Sequence, residues 1–200
     1  MKWLKINECP WDCLTFGNAV RSGNLKAIKW LKDNDCPWDA FFFTFAIRCG
    51  KLSNIKWLRA TEFSWDSQTF HKAAEYGDIN IMKWLKKNHC PWSSATFERA
   101  AVCGSMDTMN WLKENKCPWG FRTFAGAAES GEMEKMEWCK ANKCPWNSKT
   151  FAAAAEGGDL TIMNWLHVNQ CPWDELDVRA SDLVSCLIEW LEEHLYPIGE

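Results

Sequence analysis

The chain has 200 residues, of which 47% are apolar and 24% are charged, a composition that excludes a disordered tail or a collagen-like chain. Its net charge is −3, from 23 Lys and Arg against 26 Asp and Glu. This balance argues against a nucleic-acid partner, because phosphate contacts need a basic excess. Without a long apolar run or an apolar leader, we expect a cytoplasmic protein with no membrane partner. In that reducing compartment the 11 Cys remain thiols.

The fifteen Trp residues set an internal period. Two series, each starting in the first eleven residues, advance by 27 residues along most of the chain, as in Trp57, Trp84 and Trp111. A unit counted from the Cys of Cys-Pro-Trp reads C-P-W-D-x-x-T-F-x-x-A-A-x-x-G-D-L-x-x-M-K-W-L-K-x-N-x. A fixed period of this kind is typical of a repeat protein whose units stack in one direction.

The period divides one repeat domain, residues 1–200, into three parts. Residues 1–8 form a partial N-terminal repeat, residues 9–170 form six repeats of 27 residues, and residues 171–200 form a divergent acidic cap. The cap carries eight acidic residues and one basic residue, as expected of a polar terminal unit. Met1 falls on the repeat position of Met82, so we expect the chain to begin within a helix, as a piece of a longer or degraded array.

Each unit predicts two helices in chain order. The first begins after an N-cap residue such as Asp66, with Trp65 and Phe70 spaced as a hydrophobic staple, and ends at a glycine such as Gly77. The second follows at once and ends near an Asn such as Asn88, a residue that tolerates the left-handed conformation.

The apolar positions of the two helices differ in extent. In the first helix, they occupy one narrow arc and leave most of the circumference polar or variable. In the second helix, Ile79, Met82, Trp84 and Leu85 cover more than half the circle. A unit of this size cannot bury that surface alone. We therefore predict an all-α solenoid of stacked helix-turn-helix repeats, with one chain per molecule.

The segment 77–85, Gly-Asp-Ile-Asn-Ile-Met-Lys-Trp-Leu, follows Ala73-Ala74. Together they are similar to the A-A-x-x-G-H-x-x-V-V-x-x-L-L pattern of ankyrin repeats, and the resemblance extends over residues 1–173. The period departs from the family, whose units have about 33 residues. The missing residues fall where that family has its β-hairpin. The chain resembles the short-repeat variants of large DNA viruses, which implies a viral scaffold for protein–protein interaction, acting in an infected host cell.

The Trp and Cys residues can be interpreted either as parts of the core or as ligand-binding residues. We predict that both Trp series lie mainly in the core, because burying one indole contributes a few kcal/mol, about 25 cal/mol per Å². The Cys of Cys-Pro-Trp is predicted to be a small packed thiol. The alternative is a small-ligand or metal-binding protein that uses exposed Trp or Cys. We expect no cofactor and no metal, because no metal-binding Cys or His spacing occurs.

Catalytic motifs are missing from the sequence. It contains no H-E-x-x-H, G-x-S-x-G, G-x-G-x-x-G or P-loop pattern. His71 and Glu75 lie four residues apart on one helix, a spacing that is compatible with an acid–base pair but is far more often a solvated ion pair. We therefore predict that the chain is not an enzyme.

The outward arc of the first helices is the predicted partner-binding face. Exposed aromatic residues beside Arg are typical of an interface anchor. The candidate residues are Phe41, Thr44, Phe45, Arg48, His71, Lys72, Glu75, Glu98 and Arg99. The alternative is that the Phe run packs against the preceding unit or against the loop of residues 62–64.

The outer face of the second helices is rich in Lys. The residues are Lys26, Lys29, Lys56, Lys83, Lys87 and Lys113. We interpret this face as solvated, with an acidic partner or a membrane as the alternative.

Overall fold

The computed structural model describes residues 6–7, 11–39, 42–61 and 64–174. Within these ranges every regular element is an α-helix, which confirms the predicted all-α repeat fold. No helix there is long and apolar enough to cross a membrane. The chain divides into two compact units, Met1–Pro91 and Trp92–Glu200.

The described residues of the first unit form three helix pairs. The first helices α1, α3 and α5 pack in a row, α1 on α3 and α3 on α5, and each also packs on the second helix of its own pair. The staple Phe of each first helix is fully buried. The pairs are α1 Cys13–Arg21 with α2 Leu25–Lys32, α3 Phe42–Arg48 with α4 Leu52–Ala60, and α5 Ser67–Tyr76 with α6 Ile79–Lys87.

The second unit repeats this arrangement. Its central first helix, α9, packs on α7 and on α11, and the staple residues Phe97, Phe124 and Phe151 are buried. The pairs are α7 Ser94–Cys103 with α8 Met106–Glu114, α9 Phe121–Glu129 with α10 Met133–Ala141, and α11 Ser148–Gly157 with α12 Leu160–Val168.

Predicted N-cap residues precede five of the described first helices, at residues 12, 66, 93, 120 and 147. The Asp66 carboxylate accepts hydrogen bonds from the amides of Gln68 at 2.9 Å and Thr69 at 3.3 Å. At α7 the Thr96 hydroxyl accepts a hydrogen bond from the Ser93 amide at 3.1 Å. The Thr of the Thr-Phe pair therefore belongs to the cap, and it is buried at residues 69, 96, 123 and 150.

The ends of the second helices differ from the prediction. Asn88 keeps a negative φ, and its side-chain amide donates to the Trp84 carbonyl at 2.8 Å. The left-handed residue is the next one, His89, with a φ of 60°. The amide of Cys90 then donates to the Leu85 carbonyl at 3.0 Å, which closes a Schellman motif. The Asn88 side chain thus adds a second hydrogen bond to the Trp84 carbonyl, which also accepts from the Asn88 amide at 3.1 Å, while His89 reverses the chain.

The Cys of Cys-Pro-Trp occupies a buried position beside that motif. The prediction of a small packed thiol is confirmed, and the thiol also makes a hydrogen bond between repeats. Its Sγ donates to the carbonyl of the N-cap residue in the preceding repeat, 24 residues earlier, at 3.5 to 3.8 Å. The pairs are Cys36 with Asp12, Cys90 with Asp66, Cys117 with Ser93, Cys144 with Gly120, and Cys171 with Asn147.

The Trp residues lie at the border of the core, which corrects the prediction that they are mainly core. Trp111 is buried, Trp38 and Trp173 are exposed, and the other described indoles are half-buried. The two Trp of one repeat meet edge to face with ring centroids 5.4 to 6.3 Å apart, as in Trp65 and Trp84. Edge contacts leave part of each ring at the surface.

Cationic side chains cover some of these rings. The guanidinium carbon of Arg59 lies 4.2 Å from the Trp65 ring centroid. Lys113 Nζ lies 5.1 Å from the Trp119 centroid and 5.4 Å from that of Trp138. These cation–π contacts stabilise indoles that the core cannot fully enclose.

Candidate functional site

A groove of about 520 Å³ lies between α3 and α5 in the first unit. Helix α3 supplies one wall, and the loop before α5, together with the outward side of α5, supplies the other. The lining residues are Phe43, Thr44, Phe45, Arg48, Ser64, Trp65, Asp66, Gln68, Thr69, Lys72 and Tyr76.

The base of the groove is aromatic. Phe43 is fully buried, and its ring meets Trp65 edge to face at a centroid distance of 6.0 Å and an angle of 90°. Arg59 stacks on the same indole. Because Trp65 is held by both contacts, the base is a fixed apolar surface.

The rim of the groove is polar and mainly cationic. Arg48 is exposed, and among the described residues it makes no ion pair. Lys72 Nζ lies 2.8 Å from Glu75 Oε2, while the Asp66 carboxylate is occupied in capping α5. Arg48 is therefore the rim charge best placed to meet a carboxylate from outside.

Tyr76 is a groove residue that the sequence analysis missed. It is 45% exposed and lies at the end of α5. The signal was its repeat position, where the other units have Ser22, Cys49, Cys103 or Ser130. A single large aromatic residue at a repeat position otherwise occupied by small residues indicates that the surface of this repeat differs from that of the others.

Four of the predicted partner-binding residues line the groove: Thr44, Phe45, Arg48 and Lys72. Glu75 joins them through its ion pair with Lys72. Phe41 lies outside the described residues.

The Phe45 ring is half-buried. The centroids of the Phe45 and Phe42 rings lie 5.7 Å apart, and the guanidinium carbon of Arg21 lies 5.5 Å from the Phe45 centroid. Phe45 therefore packs beside α1 and presents only part of its ring to the groove.

His71 does not belong to the outward face, which corrects its predicted exposure. Its side chain is 7% exposed. It occupies the repeat position of Gly17, where an added Cβ would meet the Phe42 ring of the next first helix. This position is a helix–helix contact, so the outward arc is narrower than the helical phase predicted.

The last two predicted residues lie in the second unit. Arg99 is exposed on α7. Glu98 is half-buried, with Oε1 3.9 Å from Nη1 of Arg122 on α9. Such a partly solvated pair contributes little to stability, typically below about 1 kcal/mol.

Metal-ligating side chains do not cluster in the described parts of the chain: no group of three or more His, Cys, Asp or Glu could hold an ion there. One thiol pair is close. A side-chain hydrogen bond to Cys144, together with burial, raises the pKa of Cys139, and the same hydrogen bond lowers the pKa of Cys144. Two thiols are fewer than the four ligands of a structural zinc site.

Comparison with known proteins found similar solved structures but no matching family. No family model and no curated protein matches the sequence. Two similar solved structures are those of the pentatricopeptide repeat protein PPR10 in complex with an 18-nt psaJ RNA element, one of them with three Cys-to-Ser substitutions. Each is 12% identical with a TM-score of 0.41 and covers 97% of this chain. The chain spans 35% of the length of those proteins.

Both of these structures contain RNA. The prediction of no nucleic-acid partner is corrected here on the charge of this chain itself. That prediction used the net charge of the whole chain. Residues 1–91 alone contain 14 Lys and Arg and nine Asp and Glu, a net charge of +5, which the acidic residues 171–200 conceal. An average over the chain is therefore a poor guide to the charge of one surface.

Proposed function

We propose that the chain is a non-enzymatic scaffold for protein–protein interaction, built from short repeats of the ankyrin type and acting through the groove between α3 and α5. The observation that carries the proposal is the groove itself, an aromatic base bordered by Arg48 and Tyr76. Concave apolar sites with a few polar groups are the usual place for a binding anchor, and Tyr and Arg are frequent at such sites.

The ankyrin assignment draws support from the unit itself. Two short helices joined at a glycine with positive φ, such as Gly77 at 70°, match the expected pair of that family. The repeat has 27 residues, and its regular elements in the described ranges are all helices, so contacts to a partner come from helix surfaces and from the Cys-Pro-Trp loops.

The groove favours a partner that presents an apolar side chain next to a carboxylate. The apolar group would lie on the half-buried rings of Phe45 and Trp65, and the carboxylate would pair with Arg48. A charge-assisted hydrogen bond to Arg also fixes the direction of the partner chain.

Two groove variants test the proposal. Tyr76→Ser installs the residue that Ser22 and Ser130 supply at this repeat position, and Arg48→Glu installs that of Glu129 and Glu156, so both are compatible with the fold. Glu156→Lys is the matched control, since it reverses a charge at the same position far along the sequence.

The measurement is affinity purification from the cells that produce the protein, with quantitative mass spectrometry. We expect a partner that the wild type and Glu156→Lys recover equally and that both groove variants recover at least about tenfold less, as for loss of a hot-spot residue. Equal recovery of every partner by the wild type and by both groove variants would overturn the proposal.

A further inference from the structure

The second helices of the first unit form a basic surface. Helices α2, α4 and α6 together contain eight Lys and Arg and no Asp or Glu. All eight are exposed except Lys32, which is half-buried. They are Lys26, Lys29, Lys32, Lys56, Arg59, Lys83, Lys86 and Lys87. We call these eight residues the basic strip.

The repeat arranges the strip in rows. Lys29, Lys56 and Lys83 are 27 residues apart and so occupy one position on three successive second helices. Each second helix packs on the first helix of its own pair, and the first helices pack in a row, so the three lysines recur from one second helix to the next. None of these three lysines makes an ion pair among the described residues. The row is therefore a line of solvated positive charges.

The second unit shows that the fold does not require this charge. Asn110, Glu137 and Asn164 occupy the same position there. Helices α8, α10 and α12 contain four acidic residues and three lysines, and Lys135 among them is buried. Among the second helices that the structure describes, the basic strip is therefore confined to the first unit.

Half-buried indoles border the row. Trp30, Trp57 and Trp84 each follow a lysine of the row directly in sequence, and each keeps part of its ring at the surface. None of the helices α2, α4 and α6 has an exposed large apolar side chain. A membrane would need such a side chain to insert, whereas bases need only the face or edge of a ring.

We propose that the basic strip binds single-stranded nucleic acid. The lysine row binds phosphates of the strand, and the neighbouring indoles contact unstacked bases, the combination that non-sequence-specific single-strand binders use. No feature of the strip distinguishes a 2′-hydroxyl, so RNA and DNA are expected to bind alike. This surface lies on the second helices, so the inference does not depend on the groove between α3 and α5.

The test is fluorescence anisotropy with labelled single-stranded RNA and DNA of about 20 nucleotides and mixed sequence, at salt concentrations from about 50 to 200 mM. The key variant is the triple change Lys29→Asn, Lys56→Asn and Lys83→Asn, which copies Asn110 and Asn164 and so preserves the fold. The control is the triple change Lys116→Asn, Lys143→Asn and Lys149→Asn, which removes the same charge from exposed sites of the second unit.

We expect affinity to fall steeply with salt, and the strip variant to bind at least about tenfold more weakly at low salt, with a smaller salt dependence. The control variant should remain within about twofold of the wild type. Equal binding by both triple variants, or no binding by the wild type at low salt, would overturn the proposal. So would tighter binding to polyglutamate or to phosphatidylserine vesicles, which would assign the strip to an acidic protein or to a membrane.

Discussion

A Cβ atom placed on Gly17 would stand 2.6 Å from Cε1 of Phe42. Gly17 lies within α1, and Phe42 opens α3 at the position where the other described units have a Thr. The larger residue on one helix is therefore accommodated by the smallest residue on its neighbour. Because Phe42 also contacts the Phe45 ring, this pair sets the position of α3 beside the groove.

Gly17→Ala should destabilise the wild type by about 1 to 3 kcal/mol, since the added methyl overpacks against Phe42. In a Phe42→Thr background the same change should stabilise by about 0.5 to 1 kcal/mol, the usual gain of Ala over Gly inside a helix. Urea unfolding of the four proteins in the cycle measures both values. If Gly17→Ala changed the free energy of unfolding by the same amount in both backgrounds, the proposed contact between Gly17 and Phe42 would be contradicted.

Lys116→Gly should stabilise the second unit by about 1 kcal/mol, because Lys116 holds a φ of 60° that costs an L-residue energy and costs glycine little. The control is its neighbour, Asn115→Gly. Asn115 has a φ of −88°, and its side-chain amide donates to the Trp111 carbonyl at 2.7 Å, so that change should destabilise. Thermal unfolding of both variants tests this prediction. A change of the midpoint temperature in the same direction for both variants would refute the assignment of Lys116 as the left-handed residue of the turn.

The thiol of Cys90 should make stability depend on pH in the alkaline range. Burial, with a smaller contribution from the Asp66 charge, raises the pKa of Cys90 from 9.0 to about 12. Below pH 9 the thiol is neutral in both the folded and the unfolded state, so its full contribution to the free energy of unfolding is present. As the pH rises from 9 towards 12, the unfolded chain loses this proton first, so the free energy of unfolding falls by up to about 1.4 kcal/mol per pH unit.

Urea unfolding of the wild type and Cys90→Ala at several pH values measures this effect. The variant is less stable at neutral pH because it leaves a small cavity, but its curve should be shallower above pH 9. Parallel curves would show that the folded state does not hold the thiol neutral.

Lys135 is fully buried, and its Nζ lies 2.8 Å from Oε1 of Glu132, which is itself largely exposed. Glu132→Gln should destabilise by at least about 1 kcal/mol, because it leaves a buried charge without its counter-charge. Lys135→Ile, which installs the residue of Ile81 and Ile162, should be neutral or stabilising. Chemical unfolding measures the free energy of unfolding of both variants. A larger loss of stability for Lys135→Ile than for Glu132→Gln would contradict the prediction.

The regular features of the fold were predictable because they recur. The period, the helix pairs and the capping residue before each Thr-Phe follow from patterns that six units share. The groove was predictable only in part, since it arises where one repeat departs from the others. Tyr76 replaces a small residue and Phe42 replaces a buried Thr, and neither change has a periodic signal. His71 was misplaced because helical phase does not reveal that a first helix has neighbours on two sides.

The hydrogen bond from each Cys-Pro-Trp thiol to a carbonyl in the preceding repeat restricts the insertions and deletions that the gene can accept. One residue gained or lost between Ser93 and Cys117 would move the thiol out of reach of that carbonyl and disturb the start of the neighbouring helix. A duplication or deletion of 27 codons leaves every one of these bonds intact. Lineages that carry this protein should therefore differ in length by whole units, and single-codon insertions should be confined to sites outside the bonded interval.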